Sequence, residues 1–194
     1  MQILETERLL VRPYTLEDIP DAHREIYTSP QVWGPRSLEY TTDSVTTAML
    51  MAKGDAFPWA KRAVFLNERN VFIGQVRLDP YHNWTYRWEE EPDPLYNALE
   101  VELSFAFGTR YWGHGYAHEA SCAMIDYAFE ALRLSRLLGG TGADNIRSIN
   151  LHRRLGYSIY KAIPLPDHEE WGERVVTVLT NNRLGRPDIT AERR

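Results

Sequence analysis

The sequence predicts a mixed α/β fold in one domain, and three observations carry that reading. Two apolar, β-branched segments, residues 60–66 and 71–78, flank the polar run Asn67-Glu68-Arg69-Asn70 and read as an antiparallel hairpin. From Tyr116 the period changes: Tyr116, Ala117, Ala120, Ala123, Met124, Tyr127, Ala128, Ala131 and Leu132 form one helical stripe, its small residues suited to close packing on a sheet. Strand-like segments recur on both sides of that helix, with adjacent strands in hairpin order rather than strict βα alternation. At 194 residues, with no repeat and no Ser/Gly linker, the chain is one domain over residues 1–182 with a polar tail over 183–194.

The remaining elements follow in order. Residues 7–11 alternate into Arg12-Pro13 as a first strand. Thr15-Leu16-Glu17-Asp18 has the form of a capping box, with Asp18 where Glu is preferred, and predicts a helix to about Tyr27. Ser29-Pro30 and Gly34-Pro35 mark an irregular stretch, and a second helix covers 42–53 and stops at Gly54. Residues 80–96 set Tyr81, Trp84, Tyr86, Trp88 and Tyr96 among acids and prolines. That segment reads either as a long functional loop or as an aromatic surface excursion folded on itself. Residues 98–107 form a strand, Leu137-Leu138 begin another, and 145–155 form a helix closed by Gly156. A last strand covers 175–179.

Composition narrows the function. Hydrophobic residues at 43% and charged residues at 25% exclude wholesale disorder. With 22 basic and 27 acidic residues the formal charge is −5, which argues against a nucleic-acid partner. No apolar run approaches the roughly 18 residues of a membrane span, so no membrane partner is expected. The first residues show no hydrophobic signal region, and the single cysteine, Cys122, precludes an intrachain disulfide. These features point to a reducing cytoplasm. Nothing in the sequence specifies an oligomeric state, and a homo-oligomer stays open.

The segment Phe105-Ala106-Phe107-Gly108-Thr109-Arg110-Tyr111-Trp112-Gly113-His114-Gly115-Tyr116-Ala117 carries the chemistry. A strand ends, glycines follow and a helix begins, so free helix N-terminal N–H groups and the helix dipole offer a pyrophosphate site. A plain tight turn would use the same glycines. No Gly-Lys-Ser/Thr triplet is present, which removes a Walker loop. His118 occupies the place of the third small residue of a dinucleotide fingerprint. Arg110, Gly113 and Gly115 instead fit the acyl-coenzyme A pattern Gln/Arg-x-x-Gly-x-Gly/Ala.

On these residues the sequence resembles the GNAT N-acetyltransferases, especially the branch that acetylates ribosomal-protein N-termini and related small-molecule amines. Glu7-Arg8-Leu9-Leu10-Val11-Arg12-Pro13 is similar to the family's opening strand, and residues 111–120 to the branch's loop and helix start. Asn145-x-x-Ser148, followed by Leu155-Gly156-Tyr157, is similar to its second cofactor-side motif. The resemblance spans about residues 5–180 and is densest over 100–157. It implies a central mixed twisted sheet with flanking helices, splayed between its fourth and fifth strands, with acetyl-CoA as acetyl donor in the opening. Phe105, Ala106 and Phe107 would offer backbone to the pantetheine arm. Arg110, Tyr111, Trp112, Gly113, His114, Gly115, Tyr116 and Ala117 would hold the pyrophosphate, and Asn145 and Ser148 would line the other side. Arg153 or Arg154 would meet the outer phosphate, or form a solvated cationic helix end.

The same resemblance nominates Glu102 and His152 as catalytic residues. Glu102 stands where the branch has Glu-Leu-Gly-aromatic, although here Ser104 replaces the glycine. A carboxylate there would be the base toward the amine, or half of an ion pair. Glu100, two residues away on the same strand face, is assigned to an ion pair. His152 stands where many members have the tyrosine that protonates the leaving thiolate; it would act as imidazolium acid, losing activity on the alkaline side, or fill the tyrosine's space. His114, His118 and Cys122 recur every four residues, but no carboxylate or second cysteine completes a set, and no metal is expected. The expected reaction is direct transfer of acetyl to a primary amine of a small molecule or a protein N-terminus. A non-catalytic acyl-CoA binding or sensing module is the alternative. Glu89, Glu90, Glu91 and Asp93 would steer a cationic acceptor or simply keep their loop solvated.

Overall fold

Eight strands form a single sheet in the order β1-β2-β3-β4-β5-β6-β8-β7. The computed structural model describes residues 2–53, 58–82, 99–164 and 173–183. β1 (Leu4–Glu5) and β2 (Leu9–Pro13) are followed by a helical run: a 3-10 turn at Leu16–Asp18, α1 (Ile19–Ala22) and a π turn at His23–Tyr27. The Thr15 N–H donates to Asp18 Oδ2 at 2.8 Å, and the same carboxylate takes both guanidinium nitrogens of Arg12, so the capping acid also ties the helix to β2. Then come α2 (Leu38–Ala52), β3 (Arg62–Leu66), β4 (Val71–His82) and β5 (Leu99–Phe107). After a 3-10 turn at Thr109–Tyr111, α3 (Tyr116–Asp126) runs into a π turn at Tyr127–Ala131. β6 (Arg136–Gly142), α4 (Ile146–Arg154), β7 (Ser158–Pro164) and β8 (Glu173–Thr180) complete the fold.

Several boundaries differ from the sequence reading. α2 begins at Leu38 rather than residue 42, because Ser37 accepts from the Tyr40 N–H and caps it there. β7 was not expected: as a sheet edge it leaves Ile159 and Tyr160 half exposed, so no burial pattern marks it. Residues 80–82 continue β4, with Pro80 opposite Val101, and so belong to the sheet rather than to the aromatic loop. Residues 83–98, which hold the other aromatics of that loop and the acids at 89–93, lie outside the described residues, as do Gly54 and residues 184–194. Arg183 donates to Asp126 and Glu130 and is thereby tied to the end of α3.

Strand pairing is antiparallel everywhere except between β5 and β6. That parallel pair is registered at a single position, Glu102 opposite Leu138, whereas β4 and β5 pair continuously from Gly74–Phe107 to His82–Leu99. The sheet therefore parts beside residues 103–107, at the fourth and fifth strands counted from β2. Alternation along β5 divides its neighbours between two cores. Val101, Leu103 and Phe107 pack with Ala120, Met124 and Ala128 of the α3 run. Ala106 packs with Tyr14, Ile26, Tyr27, Val45 and Ala48 on the α1–α2 face.

Candidate active site

The end of β5 and the start of α3 are joined by a tightly bonded loop. The Gly108 N–H donates to the Ile73 carbonyl, and Trp112 Nε1 donates to the Phe107 carbonyl at 2.8 Å. His114 stacks on Tyr116 with ring centroids 5.6 Å apart, and Arg8 Nη1 donates to the His114 carbonyl. Arg8 also pairs with Glu119 in the first turn of α3, while its guanidinium lies over the Tyr116 ring. Sequence reading assigned Arg8 and Glu119 only to motifs; the structure shows that together they fasten the loop to the edge of the sheet.

Gly113 and Gly115 have φ of +81° and +82°, a region that costs an L side chain energy. Among the described residues, an added Cβ at Gly113 would meet nothing within 4 Å, so its open face is available to a ligand that approaches the backbone. The first-turn N–H groups of α3 lie directly beyond. Tyr116 and Ala117 are half buried at this helix start. Arg110 is exposed and donates to the buried Glu25 at 2.5 Å, so this cation is held by the α1 run rather than free in solution. Across the opening, Arg147 lies over the Trp112 ring at 5.0 Å, which brings the start of α4 to the loop. Asn145 caps α4 by accepting from the Ser148 N–H, while Arg153 and Arg154 are exposed. Phe105 is half buried, and Ala106 and Phe107 are buried, along the strand edge that β6 leaves.

Glu102 projects from one face of β5, and His152 packs on Phe105 at the other. Glu102 is buried, accepts from Arg174 Nη2 at 2.7 Å, and stands opposite Asp79 in the β4–β5 ladder. Burial pushes its carboxyl up to about 7; Asp79 adds to the rise, against the pull of Arg174 and Arg77. Ser104, the departure from the branch's glycine, accepts from Arg77 Nε and donates to Asp79 Oδ2 at 2.8 Å. Burial raises Asp79 as well, against the opposing effect of Arg77. Glu100 is buried in an ion pair with Arg136.

His152 touches Phe105 edge-on at 5.9 Å, stacks on Tyr157 at 5.2 Å and has Nδ1 3.1 Å from Thr177 Oγ1. Burial pushes its pKa down to about 4. Burial thus favours a neutral ring in the ligand-free protein and works against the imidazolium acid that the sequence suggests. Tyr157 is also buried, with its hydroxyl pKa raised by burial and by Glu102, and that hydroxyl has no hydrogen-bond partner among the described residues. Two consecutive glycines in β6 make room for both candidates. A Cβ at Gly139 would stand 2.8 Å from His152 Cε1, and one at Gly140 would collide with the Arg174 guanidinium. Glycines inside a strand signal such close approach, and that signal went unused in the sequence reading. Asp79, Arg174 and Thr177 were also missed, because only tertiary pairing brings them to the site.

Cys122 Sγ is 3.7 Å from His118 Nδ1, whereas His114 Nδ1 contacts the Trp112 carbonyl. Among the described residues no group of three or more His, Cys, Asp or Glu side chains could hold a metal ion, and no helix is long and apolar enough to cross a membrane.

The mixed sheet thus parts beside a glycine loop at a helix start, with a buried carboxylate at the parting. The model of the acetyltransferase (GNAT) domain matches residues 8–158, and the chain belongs to that family. It is 27% identical over 190 residues to an uncharacterized N-acetyltransferase, p20, of Bacillus licheniformis, covering 96% of this chain and 98% of that protein. An acetyltransferase of Agrobacterium tumefaciens is 28% identical, with a TM-score of 0.67 over 92% of this chain and 94% of that one. The ribosomal-protein-S5-alanine acetyltransferase of Vibrio fischeri shares the fold, with a TM-score of 0.72 at 16% identity over 94% and 98% of the two chains. The chain is thus an acyltransferase of a family whose general reaction is acetyl-CoA-dependent transfer of acetyl to an amine.

Proposed function

We propose that the chain binds acetyl-CoA in the opening beside residues 103–107 and transfers acetyl directly to a primary amine, with Glu102 receiving the amine's proton. The observation that carries the reading is the buried carboxylate of Glu102, with a pKa of about 7, at the last paired position before the sheet parts. The open face of Gly113 and the free N–H groups of α3 suit the pyrophosphate. Arg110 and Arg147 flank that site, and Phe105, Ala106 and Phe107 supply the strand edge along which the pantetheine arm would run. Asn145 shapes the far wall by capping α4, with Ser148 beside it. Acetyl-CoA supplies the acetyl group as a thioester with a thiolate leaving group.

A carboxylate with a pKa near the working pH both accepts and releases protons readily. Glu102 takes one proton as the amine becomes an amide and returns it to the medium or to the departing sulfur. Arg174 and the Gly140 backbone hold the carboxylate in place. His152 acts as a neutral positioning side chain that holds Phe105 and Tyr157 at the opening. The acceptor is a small-molecule amine or a protein N-terminus, as the ribosomal-protein neighbour suggests. The absence of a membrane-crossing helix among the described residues and the single cysteine support a cytoplasmic setting. Incubation with acetyl-CoA and a panel of amines and peptides, read by thiol release and product mass, tests the function. Coenzyme A binding without turnover of any amine would instead support an acyl-CoA sensing module.

A further inference from the structure

A second cavity, of about 560 Å³, lies on the α1–α2 side of the sheet, the side that Glu102 faces. Its apolar wall includes Tyr40, Ala48 and Met51 of α2 together with Trp59. Tyr40 and Met51 are 50% and 44% exposed, so they can meet a ligand that enters. Asp43 is exposed at the cavity's border, and Asp79 lies on its sheet side. Arg77 Nε and the Ser104 hydroxyl both contact Oδ2 of Asp79, and among the described residues Oδ1 accepts no hydrogen bond. Lys61, the other cation beside the cavity, is buried and donates to Tyr27 Oη and Ser44 Oγ at 2.9 and 2.6 Å. Burial brings its pKa down to about 7, so its charge is weakened there. Directly opposed residues of an antiparallel pair have Cβ atoms about 5 Å apart on one face, so a group held by Asp79 is next to Glu102.

Resting on the acetyl-transfer reading above, we propose that this cavity is the acceptor site and takes a compact primary ammonium with a flat apolar body, held by Asp79 Oδ1 beside the Glu102 carboxylate. The volume accommodates one small ligand, and an apolar wall with Asp79 on the sheet side and Asp43 at the border suits a compact amine. Arg77, on the sheet side of the cavity, disfavours a ligand bearing several positive charges.

Calorimetry with phenethylamine as probe, on the coenzyme A-bound protein, tests the site without requiring turnover. Phenethylamine is expected to bind more tightly than spermidine or an alanine-terminated pentapeptide. Asp79→Asn should weaken it about tenfold or more, as loss of a charged hydrogen bond does. Thr47→Trp, at an exposed position bordering the cavity, should weaken it as strongly by filling the space, which keeps the test valid if Asp79→Asn unfolds. Unchanged phenethylamine affinity in folded variants, or tighter binding of spermidine or the peptide, would overturn the proposal. Turnover of other amines alongside that result would leave the acetyl-transfer reading intact. Binding that both variants abolish, without turnover of any amine, would instead keep the site and remove the reaction.

Discussion

Glu102 and His152 are perturbed by the same cause, burial, yet it drives their roles apart. A buried carboxyl resists ionisation and arrives at a useful pKa near 7, whereas a buried imidazole resists protonation and leaves the range where it acts as an acid. Because the base form of Glu102 is the carboxylate, turnover should fall as pH drops through about 7. Glu102→Gln should lower turnover about 10²-fold or more, with coenzyme A affinity retained and the acid limb abolished. Parent-like turnover in that variant across the pH range would place Glu102 in a structural ion pair with Arg174. His152→Phe should keep the Glu102 acid limb, and the native protein should show no alkaline loss of turnover that the variant lacks; such a loss would restore the imidazolium acid.

At the scale of elements, the loop from β5 to α3 is shaped by contacts that leave its glycines open. Arg8, Glu119 and the Trp112–Phe107 bond carry the loop's structure, so Gly113 is free to serve a ligand. Gly113→Val should therefore weaken coenzyme A binding, measured calorimetrically, in a protein that remains folded. Gly113→Ala should do so less, since its smaller side chain shares the positive-φ strain but obstructs less of the approach. Equal affinities in all three proteins would remove the pyrophosphate assignment. By contrast, disrupting Glu119 should harm the loop's position, because its carboxylate takes Thr6, the Arg8 N–H and the Arg8 guanidinium together.

For the molecule as a whole, the two buried groups have opposite effects on stability. Glu102 binds more protons folded than unfolded between about 4.5 and 7, so its contribution falls as pH rises through that window. His152 binds fewer protons folded than unfolded between about 4 and 6.5, so its contribution rises as pH rises there. The windows overlap and the shifts are of similar size, which leaves little net slope from this pair between about pH 4.5 and 6.5. His152→Phe should unmask the Glu102 slope, with urea-unfolding stability declining from pH 4.5 to 7; Glu102→Gln should unmask a rise over about 4 to 6.5. Parallel pH profiles in all three proteins would contradict this pairing.

Alternation and helical spacing are local properties, and they made the hairpin, β5, the α3 stripe and α4 legible along with the Arg110-x-x-Gly113-x-Gly115 loop. The edge strand β7 escaped because burial on neither face imposed a pattern on residues 158–162. The site divides the same way. Glu102 could be nominated from its neighbours in the chain, but its proton affinity depends on burial and on Asp79 and Arg174, which belong to two other strands. His152 could be placed on its helix by spacing, whereas its neutrality follows from enclosure by Phe105, Tyr157 and the bare backbone of Gly139. Residue identity along the chain was enough to determine the family and to single out the glycine loop proposed to face the cofactor. Charge state and the cavity proposed for the acceptor depend on the tertiary structure, because desolvation and cross-strand proximity are properties of the packed sheet.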